Sequence, residues 1–324
     1  MTPRCAIWQQ ITSGCHATAC DASHPGSPRY RLAPSFDKGK LMRLLIAVLL
    51  VFSAAIASAQ DTVPVNINNM MMEATCKVFG PGSSGSGFIL GTPDPKDSKF
   101  SFFTLITAHH VLQDVQGDHA VLVLRRLIDR EKQEYQRIEV PVEIRKNGTA
   151  LWSKHPDVDL AAMFVSLPSG AAPTVIPISL LFTDEKIKKF DISPGTELFC
   201  LGYPFGAEAT PLGFAILRSG KIASYPLLPT TVTKTFLFDF TVFRGNSGGP
   251  VYLYEKNPIY GGSTHIGTIQ GVMGIITAER NIKQRIEQLY EKRETITPLA
   301  LGEVIHASFI KDLVSRMPLP LTTK

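Results

Sequence analysis

Beyond about residue 62 the chain sets its apolar residues in short runs, many alternating with polar ones and separated by Gly, Pro, Asp and Asn. Runs of that length and period read as β-strands. A first group comprises residues 74–80 (ATCKVFG), 85–91 (GSGFILG), 102–108 (FFTLITA), 120–126 (AVLVLRR), 138–144 (IEVPVEI) and 160–167 (LAAMFVSL). A Pro-rich connector, residues 166–181, closes it. A second group comprises residues 196–204 (TELFCLGYP), 214–225 (FAILRSGKIASY), 233–242 (TKTFLFDFTV), 249–254 (GPVYLY) and 269–277 (IQGVMGIIT). Two consecutive groups of short strands predict an all-β fold of two six-stranded antiparallel β-barrels, near 62–180 and 192–318. Helical periodicity appears late. Residues 281–294 (NIKQRIEQLYEKRE) space Ile282, Ile286 and Leu289 for one helical face, and residues 307–317 (ASFIKDLVSRM) predict a closing C-terminal helix. Residues 319–324 are left as a tail.

Composition is that of a globular chain, 44% hydrophobic and 19% charged over 324 residues. The formal net charge of +5 is a local effect: residues 1–59 hold six of the 33 Lys and Arg but two of the 28 Asp and Glu. Residues 60–324 are within one charge of neutral. Without a basic face or aromatic-interleaved Arg/Lys stretch, nucleic acid is not an expected partner. The charge skew surrounds a targeting signal. Arg43 precedes an uncharged apolar stretch that ends in Ala57-Ser58-Ala59, which predicts a signal peptide over 42–59 cut before Gln60. The stretch is slightly short for a membrane span of about 20 residues, so no stable membrane insertion is expected after cleavage. The product is expected to be exported, to the periplasm or beyond. Residues 1–41 lack a convincing periodic pattern, and the true start is expected at Met42. Cys76 and Cys200 are the cysteines of the mature chain. An exported compartment permits a disulfide between them, and two buried thiols fit equally well.

Candidate chemistry centres on residues 243–251, FRGNSGGPV, where Ser247 stands among three glycines. Gly, Asn and Ser suit any tight turn, so a nucleophile needs partners. A serine hydroxyl requires a base to take its proton, and the base works best when a carboxylate orients it. LITAHHVLQD places His109 and His110 at the end of an apolar run; HPDVDLAAMFV places Asp157 and Asp159 just before another. The order His, Asp, Ser is one of the known chain orders for this geometry.

These motifs resemble the trypsin/chymotrypsin-fold serine peptidases, most closely their HtrA/Deg-like branch. The base motif Thr-Ala-x-His is matched by Thr107-Ala108-His109-His110, the acid motif by Asp159-Leu160-Ala161, and Gly-Asn-Ser-Gly-Gly-Pro by residues 245–250. GSGFIL, LGYPFG, ILRSGKIAS, VMGIITA and VIHASFIKDLV resemble further segments in the same order, so the likeness spans about residues 74–316. It implies a chymotrypsin-like pair of barrels over 60–318 and a serine endopeptidase with His110 as base, Asp159 as orienting acid and Ser247 as nucleophile. The N–H groups of Gly245 and Ser247 would form the oxyanion hole, and His109 is structural or solvent-facing. Thr241 falls at the base of the primary substrate pocket by analogy, with Met273, Gly274, Ile275 and Ile276 as an apolar wall, which favours a small or medium apolar substrate residue. Arg244 replaces a proline common in that branch, either at a pocket rim or as a solvated loop residue. Asn246 replaces the Asp that pairs with a newly cut N-terminus in zymogen-type relatives, so activity without proteolytic activation is expected. The resemblance implies no cofactor and no metal, polypeptide substrates and, with no PDZ-like segment recognisable, a monomer.

Competing readings are weaker. A protease-fold binding or chaperone-like protein with little turnover would tend to lose a triad member, and an esterase would use the same site. FGPGSSGSGF lacks the Gly-Lys-Ser/Thr of a phosphate loop. HPDVD and the His pair lack metal-ligand spacing. Asn147 begins a short glycan acceptor pattern of the kind that arises by chance.

Overall fold

The computed structural model describes residues 66–93, 101–168, 174–288 and 291–318. The expected upstream segment, signal peptide and tail lie outside them. The described chain opens with helix α1, Ile67–Ala74, whose first turn is capped by the Asn66 side chain accepting from the Asn68 N–H at 2.9 Å. Ile67, Met71 and Ala74 recur at helical spacing and are all buried.

The first sheet is built from β1 (Thr75–Gly80), β2 (Ser83–Pro93), β3 (Ser101–Thr107), β4 (His119–Asp129) and β5 (Glu134–Glu143). Helix α2, His109–Gln113, comes directly after β3. A two-residue hairpin, β6 (Arg145–Lys146) with β7 (Thr149–Ala150), leads to β8 (Ser153–Lys154) and β9 (Ala161–Phe164), and β10 is Ile176–Pro177. The order is β5-β4-β1-β2-β3-β9-β8, with β10 added in parallel on β2. All six strands read from the first group's periodicity are present. The count is nevertheless eight, because β8 and β10 are two-residue strands, too short to carry a period.

The second half begins with helix α3, Asp184–Lys189, then β11 (Glu197–Gly202), β12 (Ile216–Ile222), β13 (Thr235–Asp239) and β14 (Pro250–Lys256). A small hairpin, β15 (Ile259–Tyr260) with β16 (Ser263–Thr264), precedes β17 (Thr268–Gln288) and β18 (Glu291–His306). These close a six-stranded barrel in the order β11-β12-β13-β18-β17-β14. Helix α4, Ala307–Arg316, ends it, buried through Ala307, Ile310, Leu313 and Val314.

The helix expected over 281–294 is corrected to paired strands: residues 281–288 extend β17 and 291–294 open β18, paired from Asn281↔Pro298 to Gln288↔Glu291. A spacing of four satisfies a strand's period of two as well as a helical turn, so Ile282 and Ile286 could not distinguish them. The return segment, with Thr295, Ile296 and Thr297, is β-branched and supplies the sixth barrel strand.

Three apolar clusters hold the fold. One lies in the first sheet around Val78, Leu105 and Leu122, and one in the barrel around Leu198, Phe238 and Val304. The third joins the two halves through Phe88, Ile106, Tyr203, Tyr252 and Ile305, sealed by α1 and α4. Cys76 and Cys200 are free, buried thiols; burial pushes Cys76 up to about 12 and Cys200 higher still.

His306, at the N-terminus of α4, is 1% exposed, and neither ring nitrogen has a partner among the described residues. Burial holds its pKa down at about 4, against an opposing pull from Asp184. The folded imidazole is therefore neutral, while the unfolded one protonates near 6.5. Between those values the unfolded state binds more protons, so stability is lost as pH falls from about 6.5 towards 4, by about 3 kcal/mol from this residue. Denaturant titrations across that window should show a flatter slope for His306→Leu than for the wild type. Equal slopes would exclude the effect.

Candidate active site

β3 delivers the chain into α2, with Ala108 in extended conformation at the N-cap. His110 thus stands in the first turn, anchored twice to one carboxylate. Its backbone N–H donates to Asp159 Oδ1 at 3.1 Å, and its ring Nδ1 lies 2.6 Å from Asp159 Oδ2. The hydrogen bond to Asp159 raises the imidazole pKa above its ordinary value, more than burial lowers it. Burial pushes the Asp159 carboxyl up, but the hydrogen bond and charge of His110 outweigh it and leave that pKa lowered. The pair is partly open, with side chains 40% and 38% exposed.

Asp159 precedes β9 in a loop closed by His155 N–H to Leu160 O at 2.9 Å. His155, 2% exposed, accepts the Asp157 N–H on Nδ1 at 3.1 Å. That bond leaves Nε2 as the donor towards Asp312 Oδ2 of α4, also at 3.1 Å. One buried imidazole therefore ties the acid-bearing loop to the C-terminal helix. The His109 ring is engaged elsewhere: its Nδ1 accepts from Trp152 Nε1 at 3.1 Å, and burial, with Lys154 nearby, lowers its pKa.

The Ser247 turn is clamped between the two halves. Ser86 of β2, fully buried, donates from its hydroxyl to Gly245 O at 2.6 Å and accepts the Tyr203 N–H at 3.1 Å. Its backbone N–H donates to Ser247 O at 2.8 Å, and its carbonyl accepts the Thr107 hydroxyl at 2.7 Å. The turn is thereby fastened to the segment that leads into His110. Gly248 has φ +84°, and a Cβ there would stand 2.1 Å from Ser86 O. Gly245 has φ +95°, with Tyr203 O 2.2 Å from any added Cβ. No other residue fits either position without displacing backbone.

The Arg244 carbonyl accepts the Phe205 N–H at 2.6 Å, which fixes the Arg244–Gly245 peptide. Among the described residues the N–H groups of Gly245 and Ser247 donate to no acceptor. Two unused donors beside a serine are what an oxyanion would require. The Ser247 hydroxyl donates to Thr277 O at 3.2 Å, and no hydrogen bond joins it to His110 among the described residues. Thr277 occupies a bulge, where the β17–β18 register slips between Ile276 and Ala278. Such a bulge bends the strand locally and re-aims its groups. On either side, Gly248 N–H donates to Ile276 O and Ile276 N–H to Gly249 O, at 2.7 and 3.0 Å.

The residues suggested for a substrate pocket are placed differently from one another. Thr241 is half-buried, its carbonyl accepting from Arg218 at 2.8 Å. Met273, Ile275 and Ile276 are 1%, 0% and 0% exposed and belong to the cores. The apolar wall is therefore corrected: these side chains fill the protein interior and offer no open surface. Gly274 meets β18 so closely that a Cβ would lie 2.0 Å from Ile305 O. Sequence reasoning missed Ser86, Thr277 and His155. Ser86 left a trace, a small polar residue between two glycines, whereas the Thr277 bulge depends on pairing between strands.

A His–Asp couple, a serine on a glycine turn and two free N–H groups, set on a two-part β architecture, define the serine-peptidase class. The trypsin-like peptidase domain family matches residues 85–259, just over half of the chain, and the chain belongs to that family. It is a serine endopeptidase. Among solved structures it is similar to two crystal structures of the inactive form of the Rv3671c protease, one of them a serine-to-alanine mutant from M. tuberculosis H37Rv. Each is 17% identical; TM-scores are 0.38 and 0.37, with 81% and 79% of this chain and 96% of that chain covered. A comparison with curated proteins gives no match.

Proposed function

We propose that the protein is an exported endopeptidase that cleaves polypeptides through a Ser247–His110–Asp159 triad and an acyl-enzyme. The observation that carries this reading is the 2.6 Å contact between His110 Nδ1 and Asp159 Oδ2. A carboxylate on Nδ1 holds the proton there and leaves Nε2 with the lone pair that a general base needs. Rotation of the Ser247 hydroxyl away from Thr277 O brings its proton to that lone pair as Oγ attacks the scissile carbonyl. The negative charge that develops on the carbonyl oxygen is met by the N–H groups of Gly245 and Ser247. His110 then returns the proton to the departing amine, and water repeats the sequence to release the acyl group. Asn246 is buried and uncharged, so the turn needs no ion pair with a cut N-terminus. Export rests on the apolar run ending at Ala57-Ser58-Ala59.

Cleavage of an unfolded protein substrate, monitored by gel and mass spectrometry, tests the reading. Wild type should cut, and Ser247→Ala should fall to background. Equal cutting by both would remove Ser247 from the mechanism.

A further inference from the structure

A concavity borders the same site. A cavity of about 290 Å³ is lined by Ser84, Phe205, Gly206, Arg244 and Gly245. Its aromatic wall is Phe205, whose exposed ring is backed by the exposed ring of Phe243, with centroids 5.3 Å apart. Phe205 is 75% exposed and holds φ +53°, in the left-handed region that bulky residues seldom enter. Strain and solvent exposure both oppose a phenylalanine here, and strained residues of this kind cluster at ligand clamps. The position is held by the Phe205 N–H on Arg244 O and by the Gly206 N–H on Tyr203 O at 2.8 Å.

Charge narrows the occupant. Arg244 is exposed, and among the described residues no carboxylate lies within ion-pair distance of it. Lys77 Nζ stands 3.4 Å from where a Cβ on Gly206 would be. That ammonium is already engaged by Gly206 O at 2.7 Å and Glu208 at 3.4 Å, so the guanidinium of Arg244 is the unmatched charge. An aromatic occupant would use the Phe205 ring and cover Arg244 without an anion. A side chain with an apolar stem and a terminal carboxylate matches both surfaces, and arginine recognises carboxylates with fixed geometry.

We propose that this cavity is a specificity subsite that takes a glutamate side chain of the substrate next to the scissile bond, its methylenes against Phe205 and its carboxylate on Arg244. The assignment rests on Ser247 as nucleophile and Gly245 as oxyanion donor, since that pair places the scissile bond beside the cavity.

Quenched fluorescent peptides that differ only in Glu, Gln, Lys, Phe or Ala at each position around the scissile bond test it. At one position kcat/KM for Glu should exceed that for Gln by about fivefold, the scale of a partly exposed charge-assisted contact. That ratio should shrink with added salt. Arg244→Gln should bring the ratio to one, and Arg244→Glu should turn the preference towards Lys; taking a ratio cancels any general disturbance of the neighbouring Gly245. Preference for Phe over Glu, or an undiminished ratio in Arg244→Gln, overturns the subsite. A fluorophosphonate probe run in parallel separates the two readings. Labelling of Ser247 without a Glu preference overturns the subsite alone, and absence of labelling overturns the nucleophile and the subsite together.

Discussion

Asp159→Asn is expected to lower kcat/KM by about 10⁴-fold with the fold intact. Asparagine would keep the space but present an amide where His110 Nδ1 now meets a carboxylate at 2.6 Å. The ring would then lose its reason to carry the proton on Nδ1, and Nε2 would no longer be reliably the base. A second signature comes from charge. The hydrogen bond to Asp159 raises the His110 pKa, so its loss lets that pKa fall. His110 must be neutral to act as base, so the acid limb of the residual pH–rate profile should move to lower pH in the variant. Steady-state kinetics across pH read both effects. A loss under about tenfold, a small fraction of the triad's usual contribution, would mean that Asp159 does not orient His110.

The second large effect is on stability and involves no reacting atom. Arg125 lies in β4 and is 3% exposed. Its guanidinium donates to Met72 O at 2.9 Å and Glu73 O at 2.7 Å, the closing carbonyls of α1, and also to Thr75 O. It further reaches Gly213 O at 2.8 Å and the Tyr203 hydroxyl at 3.2 Å, and stacks 4.8 Å from the Phe214 ring centroid. A single planar cation thus fastens the opening helix to the loop beyond Tyr203. Carbonyls at a helix C-terminus carry partial negative charge and have no partner within the helix, which is why a buried cation is tolerated here with no carboxylate paired to it among the described residues. Arg125→Leu would leave several of these acceptors buried and unpaired, at about 3–5 kcal/mol. Calorimetry should show a fall in Tm of about 10 °C or more. Arg125→Lys should recover only part of it, since an ammonium cannot span the same fork of acceptors. An unchanged Tm in Arg125→Leu would show that water replaces the guanidinium without penalty.

Much of this fold could be read from the chain because most of its strands show as short apolar or alternating runs set off by Gly, Pro, Asp and Asn. The glycine turn around Ser247 and the segments that carry His110 and Asp159 stood out for a different reason. Glycines with positive φ, and polar residues at the ends of apolar strands, are local requirements that the sequence must state. Features that arise from tertiary contact were not readable. Ile282 and Ile286 fit two periods, and only pairing with 291–298 selects the strand. Thr277 lies at the Ser247 hydroxyl because β17 slips register against β18. Met273, Ile275 and Ile276 look like any apolar wall until the barrel closes around them. Arg125 reads as a surface charge at the end of AVLVLRR, and the helix carbonyls that bury it lie about fifty residues away.

Activation of Ser247 by His110 is open to a direct test: intact-mass and peptide-mapping analysis of the native protein after reaction with a fluorophosphonate. A single adduct, located on Ser247, should form in the wild type and be lost on heat unfolding and in His110→Ala. No adduct in the folded wild type, or an adduct on any other residue, would contradict that activation.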